Sequence, residues 1–491
     1  MKKYFLVTDF GSSSVRSLLL GSEGKIEAIS KKELNPSYEG DRVEYDAAKL
    51  IEACKSALEA ALREAGDGEI ISFGVACQRS TFVIWDKITG VPLTPVISWQ
   101  DGRARELVAR LKISNSEIHS LTGLYKTPYY SAPKIKFCAE NEEKVARAFA
   151  ERRAAVGSVA TYALWNLSGG KLFVIDPTLA QRTLLFNIKK MKWEPRLLEL
   201  FGVPAAALPE VVPTFQKKLK INFGGRELPL GGIIGDQQAA VMAFTAEKGK
   251  AAVNYGTGAF LLAGTGREII RIRGLLNSVA FTDEKNNYYL LESTVNSCGT
   301  FLQWLNLKFN LNLRIEDLEP LIKKSGTRLF VLPSIGGIGS PYWDYDTLTT
   351  FSGFTPAAGI NDLIRSSVEG IAFFIADGLE KIKKKLPVSS LVASGGLSHL
   401  DYLLRFQGDI TGLEVRRFRD PEATALGLGR ALALQSGCPV EEWKAFETDR
   451  KYLPVMSAEE RTAVFGEWKY FFDGMRKLYR GRKQVREKSS K

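Results

Sequence analysis

Residues 2–20 read KKYFLVTDFGSSSVRSLLL, and residues 249–266 read GKAAVNYGTGAFLLAGTG. In each, an apolar run meets a short turn of Gly with Ser or Thr, and a second apolar run follows. That is the pattern of two strands joined by a tight polar turn. Gly11 and Gly256 are separated by half the length of the 491-residue chain. A repeat that long is no solenoid unit and predicts two homologous domains. Around each turn strand-like runs alternate with helix-like ones, as where IEACKSALEAALREAG (51–66) precedes IISFGVAC (70–77). The expected class is therefore α/β. A polar segment, AFTAEKGK (243–250), separates a helical run from the second hairpin, which gives expected domains of 1–245 and 246–491. Helical spacing also runs through SAEERTAVFGEWKYFFDGMRKLYR (457–480).

Composition narrows the function. Hydrophobic residues make up 45% of the chain and charged residues 25%, enough to bury large cores and far from the disordered range. No stretch reaches 18 uncharged apolar residues, so no transmembrane helix is expected. The apolar run YFLV ends before Asp9, too short for a secretion signal, and a cytoplasmic location is the expectation. Cys54, Cys77, Cys138, Cys298 and Cys438 are widely spaced with no CxxC pair, which argues against a disulfide framework or structural zinc. The net charge of +12 would suit nucleic acid, but +7 of it falls in residues 474–491, where eight Lys or Arg stand against one acid. A frayed, solvated C-terminus accounts for that charge, and no nucleic-acid motif accompanies it. Neither nucleic acid nor a membrane is an expected partner. No GxxxxGK[ST] loop, GxSxG elbow or protein-kinase signature occurs. Only two histidines, His119 and His399, are available for a nucleophile triad or a metal.

The two turns carry the chemistry. A Gly/Ser/Thr turn between strands exposes successive N–H groups and hydroxyls, which suits a phosphate, although hairpins also use these residues for steric reasons alone. Two copies, one per half, could grip a polyphosphate. The first copy adds Asp9 at its strand end, able to hold Mg²⁺ through water, and Arg16 just past the turn. In GGIIGDQQAAVMAF (231–244), Asp236 follows an apolar strand and opens a helix. It fits a helix N-cap, and equally a strand-end base that accepts a proton from an attacking hydroxyl. Phosphoryl transfer to an alcohol needs such an acceptor, the rest being positioning and charge neutralisation. Near Gly395 and Gly396, LVASGGLSHLDYLLRFQGDITG (391–412) reads as strand, glycine turn and helix. A flat base could slide over that turn, and a plain helix start fits it as well.

The ordered set DFGSSSVR, CQRST, SWQDGRA, PYYSAPKIK, GDQQAA, YGTGAFLL, PSIGGIGSPYWD, RSSVEGIAF, ASGG and FQGDI spans nearly the whole chain. It resembles the FGGY carbohydrate kinase family, and within it the glycerol-phosphorylating branch. The resemblance implies two ribonuclease-H-like domains of the actin/hexokinase type, with a nucleotide cleft between them, closing over ATP, Mg²⁺ and a polyol or sugar. It implies Asp236 as the general base and Asp9 as the organiser of Mg²⁺. Gly11, Ser12, Ser13 and Arg16 would form the first phosphate turn, and Gly256, Thr257 and Gly258 the second. Gly299 and Gln303 would line the nucleotide site, with Gly395 and Gly396 against the adenosine. Arg79, Tyr129, Asp236 and Gln237 would be polar contacts to the polyol, with Trp99 and Phe260 as its apolar walls. Relatives of this kind often form dimers or tetramers, so a homo-oligomer is open.

The departures from the family pattern concern the substrate. Ser80 stands where the glycerol branch carries a Glu after the pocket Arg. A carboxylate accepts charge-assisted hydrogen bonds worth about 1.5–3 kcal/mol each, so its loss leaves room and weakens capture of glycerol. Gly102 replaces an Arg, Phe137 replaces a Trp, and Leu400 and Asp401 replace asparagines of the adenine loop. A kinase for glycerol or a close relative is expected. A ketose, longer alditol or cyclitol is the alternative substrate, and a nucleotide-dependent binding protein on the actin-like scaffold is the alternative class.

Overall fold

A computed structural model describes residues 2–242, 250–440, 443 and 448–489. The expected domain boundary at 243–250 lies, but for Lys250, outside the described residues. The chain divides into two compact units. One comprises Met1–Ala243, Asn277–Tyr289 and Glu422–Phe446, and the other comprises Phe244–Leu276, Leu290–Pro421 and Glu447–Lys491.

The first unit is built on a six-stranded sheet in the order Phe215–Phe223, Arg226–Gly235, Glu69–Cys77, Lys3–Phe10, Ser14–Gly21, Ile26–Glu33. Lys3–Phe10 is antiparallel to Ser14–Gly21 and parallel to Glu69–Cys77, which is in turn parallel to Arg226–Gly235. Phe215–Phe223 closes that edge antiparallel. Seven of the eight residues of Lys3–Phe10 are buried, as expected of a central strand covered on both faces. The helix Ala47–Ala65, capped by Asp46 and ended at Gly66, supplies the crossover to the first parallel neighbour.

A seven-stranded sheet orders Leu276–Thr282, Asn287–Val295, Ala259–Gly266, Lys250–Tyr255, Ser390–Ser394, Glu414–Phe418, Thr448–Tyr452. From the strand before the Gly-Thr-Gly turn, its pairings repeat those of the first sheet. They are antiparallel to the hairpin partner, parallel twice, then antiparallel at the edge. The duplicated hairpins therefore belong to two copies of one mixed α/β fold, the ribonuclease-H-like arrangement.

The copies differ in where chain has been inserted. In the first, residues 78–225 separate the second and third parallel strands; in the second, that connection is only 395–413. The longer crossover of the second copy is the earlier one, 296–389. The helix Ala423–Gln435 packs on the first sheet through glycines. A Cβ on Gly429 would sit 2.1 Å from Leu20 Cδ1, and one on Gly74 would sit 2.8 Å from Leu432 Cδ1.

The C-terminal expectation needs correction. The basic segment is not frayed but continues the helix Ala458–Ser489. Trp468 and Phe472 anchor that helix in the second core, Arg476 and Arg480 reach the buried Asp344 at 3.1 and 3.5 Å, and Tyr479 meets Thr350 at 3.1 Å. Part of the charge that looked solvated is therefore committed to an acid. Among the described residues no helix is long and apolar enough to cross a membrane.

Candidate active site

In the first unit three parallel strands end at one edge. Register sets Asp9 opposite Ala76 and Gly235 opposite Cys77, so the chain leaves this edge at Gly11, at Gln78-Arg79 and at Asp236. Carboxyl ends of parallel strands are where open α/β sheets place their ligands. Arg79 Nε lies 3.8 Å from Asp236 Oδ1, and Arg79 Nη1 is 3.5 Å from Gln238 Oε1. Gly235 lets the arginine stem pass: a Cβ there would meet Arg79 Cγ at 3.0 Å.

Both carboxylates are poised above their ordinary range. Asp9 is buried, with one carboxylate oxygen lacking a hydrogen-bond partner among the described residues. Burial, and then the charge of Asp236, push its pKa up to about 7 despite Arg16. Burial also raises Asp236, while Arg79 and the Gln237 N–H, which donates to Oδ1 at 2.7 Å, pull it back. A carboxylate raised toward neutrality is a stronger proton acceptor than an exposed one.

The first turn is held from several sides. Gln78 Nε2 donates to the Gly11 carbonyl at 3.2 Å, and its Oε1 accepts from Ser12 Oγ at 3.3 Å and from Thr81 Oγ1 at 3.1 Å. Trp99 Nε1 donates to Ser12 Oγ at 3.2 Å, the Trp99 N–H donates to Thr81 Oγ1 at 3.0 Å, and Leu34 N–H fixes the Ser13 carbonyl at 2.7 Å. Gln78 thus joins the motifs DFGSSSVR and CQRST, and Trp99 of a third motif bonds two of its partners; sequence reasoning did not single Gln78 out, and its place beside Arg79 in CQRST was the available signal. Arg16 is already engaged: Glu422 takes its Nη1 at 2.8 and 2.9 Å, and its Nε donates to Ser14 Oγ at 3.2 Å. Glu422 was also missed, because only the returning segment before the helix Ala423–Gln435 brings it here.

The remaining first-unit candidates sit on the long insertion or beside Asp236. Ser80 is buried with φ 66°, and its hydroxyl donates to the Arg182 carbonyl at 3.1 Å. Ser131 Oγ donates to the Ser80 carbonyl at 3.1 Å. Tyr129 is half-buried, its phenol pushed up by burial and opposed by Arg105. Arg105 stands close to Gly102, where a Cβ would lie 3.3 Å from its guanidinium. Gln237 is half-buried next to Asp236.

The second unit gathers its own set. A cavity of about 340 Å³ is lined by Gly256, Thr257, Gly299, Gln303 and Gly396 together with Leu302, Asn306, Ile364 and Leu397. The Gly-Thr-Gly turn is bolted to the start of the helix Gly299–Phe309. Cys298 N–H donates to the Thr257 carbonyl at 3.0 Å, and Gly299 N–H to that of Gly256 at 2.9 Å. Gly258 continues the turn against the Val295 carbonyl, which a Cβ would approach to 2.9 Å. Gly395, at φ 87°, passes so close to the first strand that a Cβ would lie 2.6 Å from the Tyr255 carbonyl. Phe260 lies half-buried on the strand Ala259–Gly266, opposite Asn254. Leu400 is buried, and Asp401 is tied to Arg417 at 3.1 Å, to Tyr452 at 2.7 Å and to Arg450.

The N-terminal domain of the FGGY family of carbohydrate kinases matches residues 4–243, and its C-terminal domain matches residues 251–434. The chain belongs to the FGGY family of carbohydrate kinases. It is an ATP-dependent carbohydrate kinase, and the two copies of the fold are the two domains of that family. Among similar FGGY proteins, the glycerol kinase of Aquifex aeolicus is 34% identical over 478 residues, covering 94% of this chain and 96% of its own. That of Shewanella sp. (strain MR-7) is 36% identical over 485 residues, covering 95% and 98%. The crystal structure of Plasmodium falciparum glycerol kinase with ADP superposes with a TM-score of 0.87 at 24% identity, over 96% of this chain and 98% of that one. At that identity the likeness speaks for the FGGY fold. Among the described residues no cluster of three or more His, Cys, Asp or Glu could hold a metal. The Asp9 oxygen without a protein partner nevertheless fits Mg²⁺, which takes one or two carboxylates and completes its shell with water and phosphate.

Proposed function

We propose that this FGGY kinase transfers the γ-phosphate of ATP to a hydroxyl of a small polyol, with glycerol the first candidate. The observation that carries this reading is Asp236, a carboxylate raised by burial and steered by Arg79 at the strand edge that also bears Asp9. Relatives named glycerol kinase at 34% and 36% identity over nearly the full chain support the acceptor. Asp236 takes the proton of the attacking hydroxyl as the new O–P bond forms and the bond to ADP breaks, so the products are a phosphate monoester, ADP and one proton. Arg79, Ser80, Tyr129 and Gln237 orient the polyol, with Trp99 and Phe260 as apolar walls. The turns at Gly11, Ser12, Ser13 and Arg16 and at Gly256, Thr257 and Gly258 hold phosphates, and Gly299, Gln303, Gly395 and Gly396 hold the nucleoside. Asp9 would hold Mg²⁺, which neutralises charge on the phosphoryl group. Residues 1–245 would thus carry most of the polyol contacts and the first phosphate turn, and 246–491 the nucleotide contacts and the second phosphate turn. The absence of any disulfide among the five cysteines supports a reducing, cytoplasmic setting.

A larger polyol or sugar is the second reading, favoured by Ser80, whose hydroxyl is turned to a backbone carbonyl. The experiment is ADP release with Mg–ATP against glycerol, erythritol, ribitol, xylitol, inositols, ketoses and water. Highest kcat/KM with glycerol is expected. A preference for a longer or cyclic acceptor transfers the reading to that substrate, and turnover indifferent to every acceptor removes both.

A further inference from the structure

Lys134 is fully buried on the helix Ser131–Asn141, within the long insertion of the first unit. Its ammonium donates to the Ser98 carbonyl at 2.6 Å and to the Tyr129 carbonyl at 3.0 Å. The first carbonyl belongs to the peptide whose N–H is that of Trp99, and the second belongs to Tyr129 itself. One cation therefore joins the backbones of two pocket segments that are distant in sequence. Trp99 is secured on its other side by Thr81 and Ser12, and the Tyr129 N–H donates to the Thr127 hydroxyl at 3.4 Å.

Burying an ammonium is unfavourable unless it is hydrogen-bonded and electrically compensated. Compensation comes from Asp101, itself fully buried and paired with Arg103 at 2.8 Å. A methionine would fill a similar volume without any desolvation penalty, so packing alone gives no reason for a charge here. The bridge between two carbonyls is what only a multiple donor supplies.

We propose that Lys134 is a positioning residue of the polyol pocket, fixing the spacing between Trp99 and Tyr129 and thereby the affinity for the acceptor alcohol. This rests on the reading of Trp99 as an apolar wall and Tyr129 as a polar contact of that pocket. It predicts a separation of kinetic constants. Lys134→Met should raise the KM for the polyol about tenfold or more while the KM for ATP and kcat stay within about threefold, since two charge-assisted hydrogen bonds are lost at the acceptor side alone. Lys134→Gln, which keeps two N–H donors without the charge, should recover only part of that loss. A polyol KM unchanged in Lys134→Met, or both KM values rising together, overturns the proposal.

If Lys134→Met does not fold, the wild-type enzyme supplies the readout. Burial holds the Lys134 amine down to about 7, with Asp101 and Cys138 opposing and Arg103 reinforcing that shift. Its charged donors are thus lost as pH rises, and the polyol KM should be several-fold higher at pH 9 than at pH 6 while the ATP KM stays level. A polyol KM that does not rise overturns the proposal. A wild-type chain that releases no ADP with any polyol overturns the pocket reading instead, and does so before any variant is made.

Discussion

The two copies of the fold share strand order and pairing but were elaborated at different connections. In the first, the insertion at 78–225 follows the second parallel strand and carries Arg79, Ser80, Trp99, Tyr129 and Lys134. In the second, the insertion at 296–389 precedes the corresponding strand and carries Gly299 and Gln303 of the cavity. The turns diverged accordingly. The first keeps three serines and stands among carboxylates, with its cation paired to Glu422. The second is stripped to Gly-Thr-Gly and lies beside a mostly aliphatic cavity. On the proposed reading the first unit's turn stands beside the proton acceptor and the metal charge, and the second unit's turn beside the nucleoside, so each unit should fail in its own way when altered.

The largest expected effect tests the chemical half. Asp236→Asn removes the proposed proton acceptor without changing shape, so turnover should fall by about 10³-fold or more. Binding of ADP, followed by calorimetry, should stay within about threefold, because the nucleoside cavity is built from second-unit residues. Near-normal turnover would remove Asp236 as the base. Lost ADP binding would dissolve the division of labour between the units.

Glycines sharpen the nucleotide half. At Gly395 the backbone is left-handed and a Cβ would lie 2.4 Å from Asn254 Oδ1. Gly395→Ala should therefore destabilise the chain by on the order of 3–5 kcal/mol, visible as a lower Tm. A Cβ at Gly396 meets nothing within 4 Å but enters the cavity lining. Gly396→Ala should fold normally and raise the KM for ATP about tenfold, with the polyol KM unmoved. Equal Tm values for the two variants would show that Gly395 is not a structural glycine.

Much of this was legible in the sequence because turn chemistry and apolar periodicity are local. The paired hairpins, the α/β class and the strand-end position of Asp236 all follow from short windows of residues. What was not legible depended on chain return. Glu422 reaches Arg16 only because the helix Ala423–Gln435 packs on the first sheet, through Gly429 and Gly74. No window around residue 16 contains that information. Lys134 was hidden for a related reason: a lysine in a polar-looking segment reads as solvated, and only tertiary packing of the insertion buries it. The basic C-terminus misled in the same direction, since Asp344, its partner, is more than a hundred residues earlier.

The carboxylate cluster of Asp9 and Asp236 predicts a pH signature of its own. The folded state holds the Asp9 proton up to about pH 7, whereas an aspartate in the unfolded chain releases it near 3.8. Ionisation therefore penalises only the folded state, so stability is undiminished below about pH 4 and falls as pH rises toward 7. The full displacement corresponds to on the order of 4 kcal/mol. In chelator, Asp9→Asn should flatten this decline, so its Tm advantage over wild type grows between pH 4.5 and 7.5. Mg²⁺ with nucleotide should shrink the difference by favouring the ionised carboxylate. Parallel melting curves across that range would show that Asp9 does not carry the shift.

The smallest expected effect bears on the acceptor. Ser80 gives its hydroxyl to the Arg182 carbonyl, so it does not replace the carboxylate that the glycerol-phosphorylating branch carries at this position. Ser80→Glu would restore a charge-assisted acceptor beside Arg79 at the cost of the bond to Arg182. One such hydrogen bond is worth about 1.5–3 kcal/mol against about 1 kcal/mol for the neutral one lost. The net change should raise kcat/KM for glycerol relative to xylitol by about three- to thirtyfold. The substitution also reads on the insertion as a whole. If the ratio moves as expected, the pocket is a glycerol pocket with one contact missing, and its neighbouring residues Trp99 and Tyr129 already have the right spacing. If the ratio falls or stays level, those residues themselves have moved apart to suit a longer acceptor, and the difference between the two units extends to the shape of the insertion, beyond a single side chain.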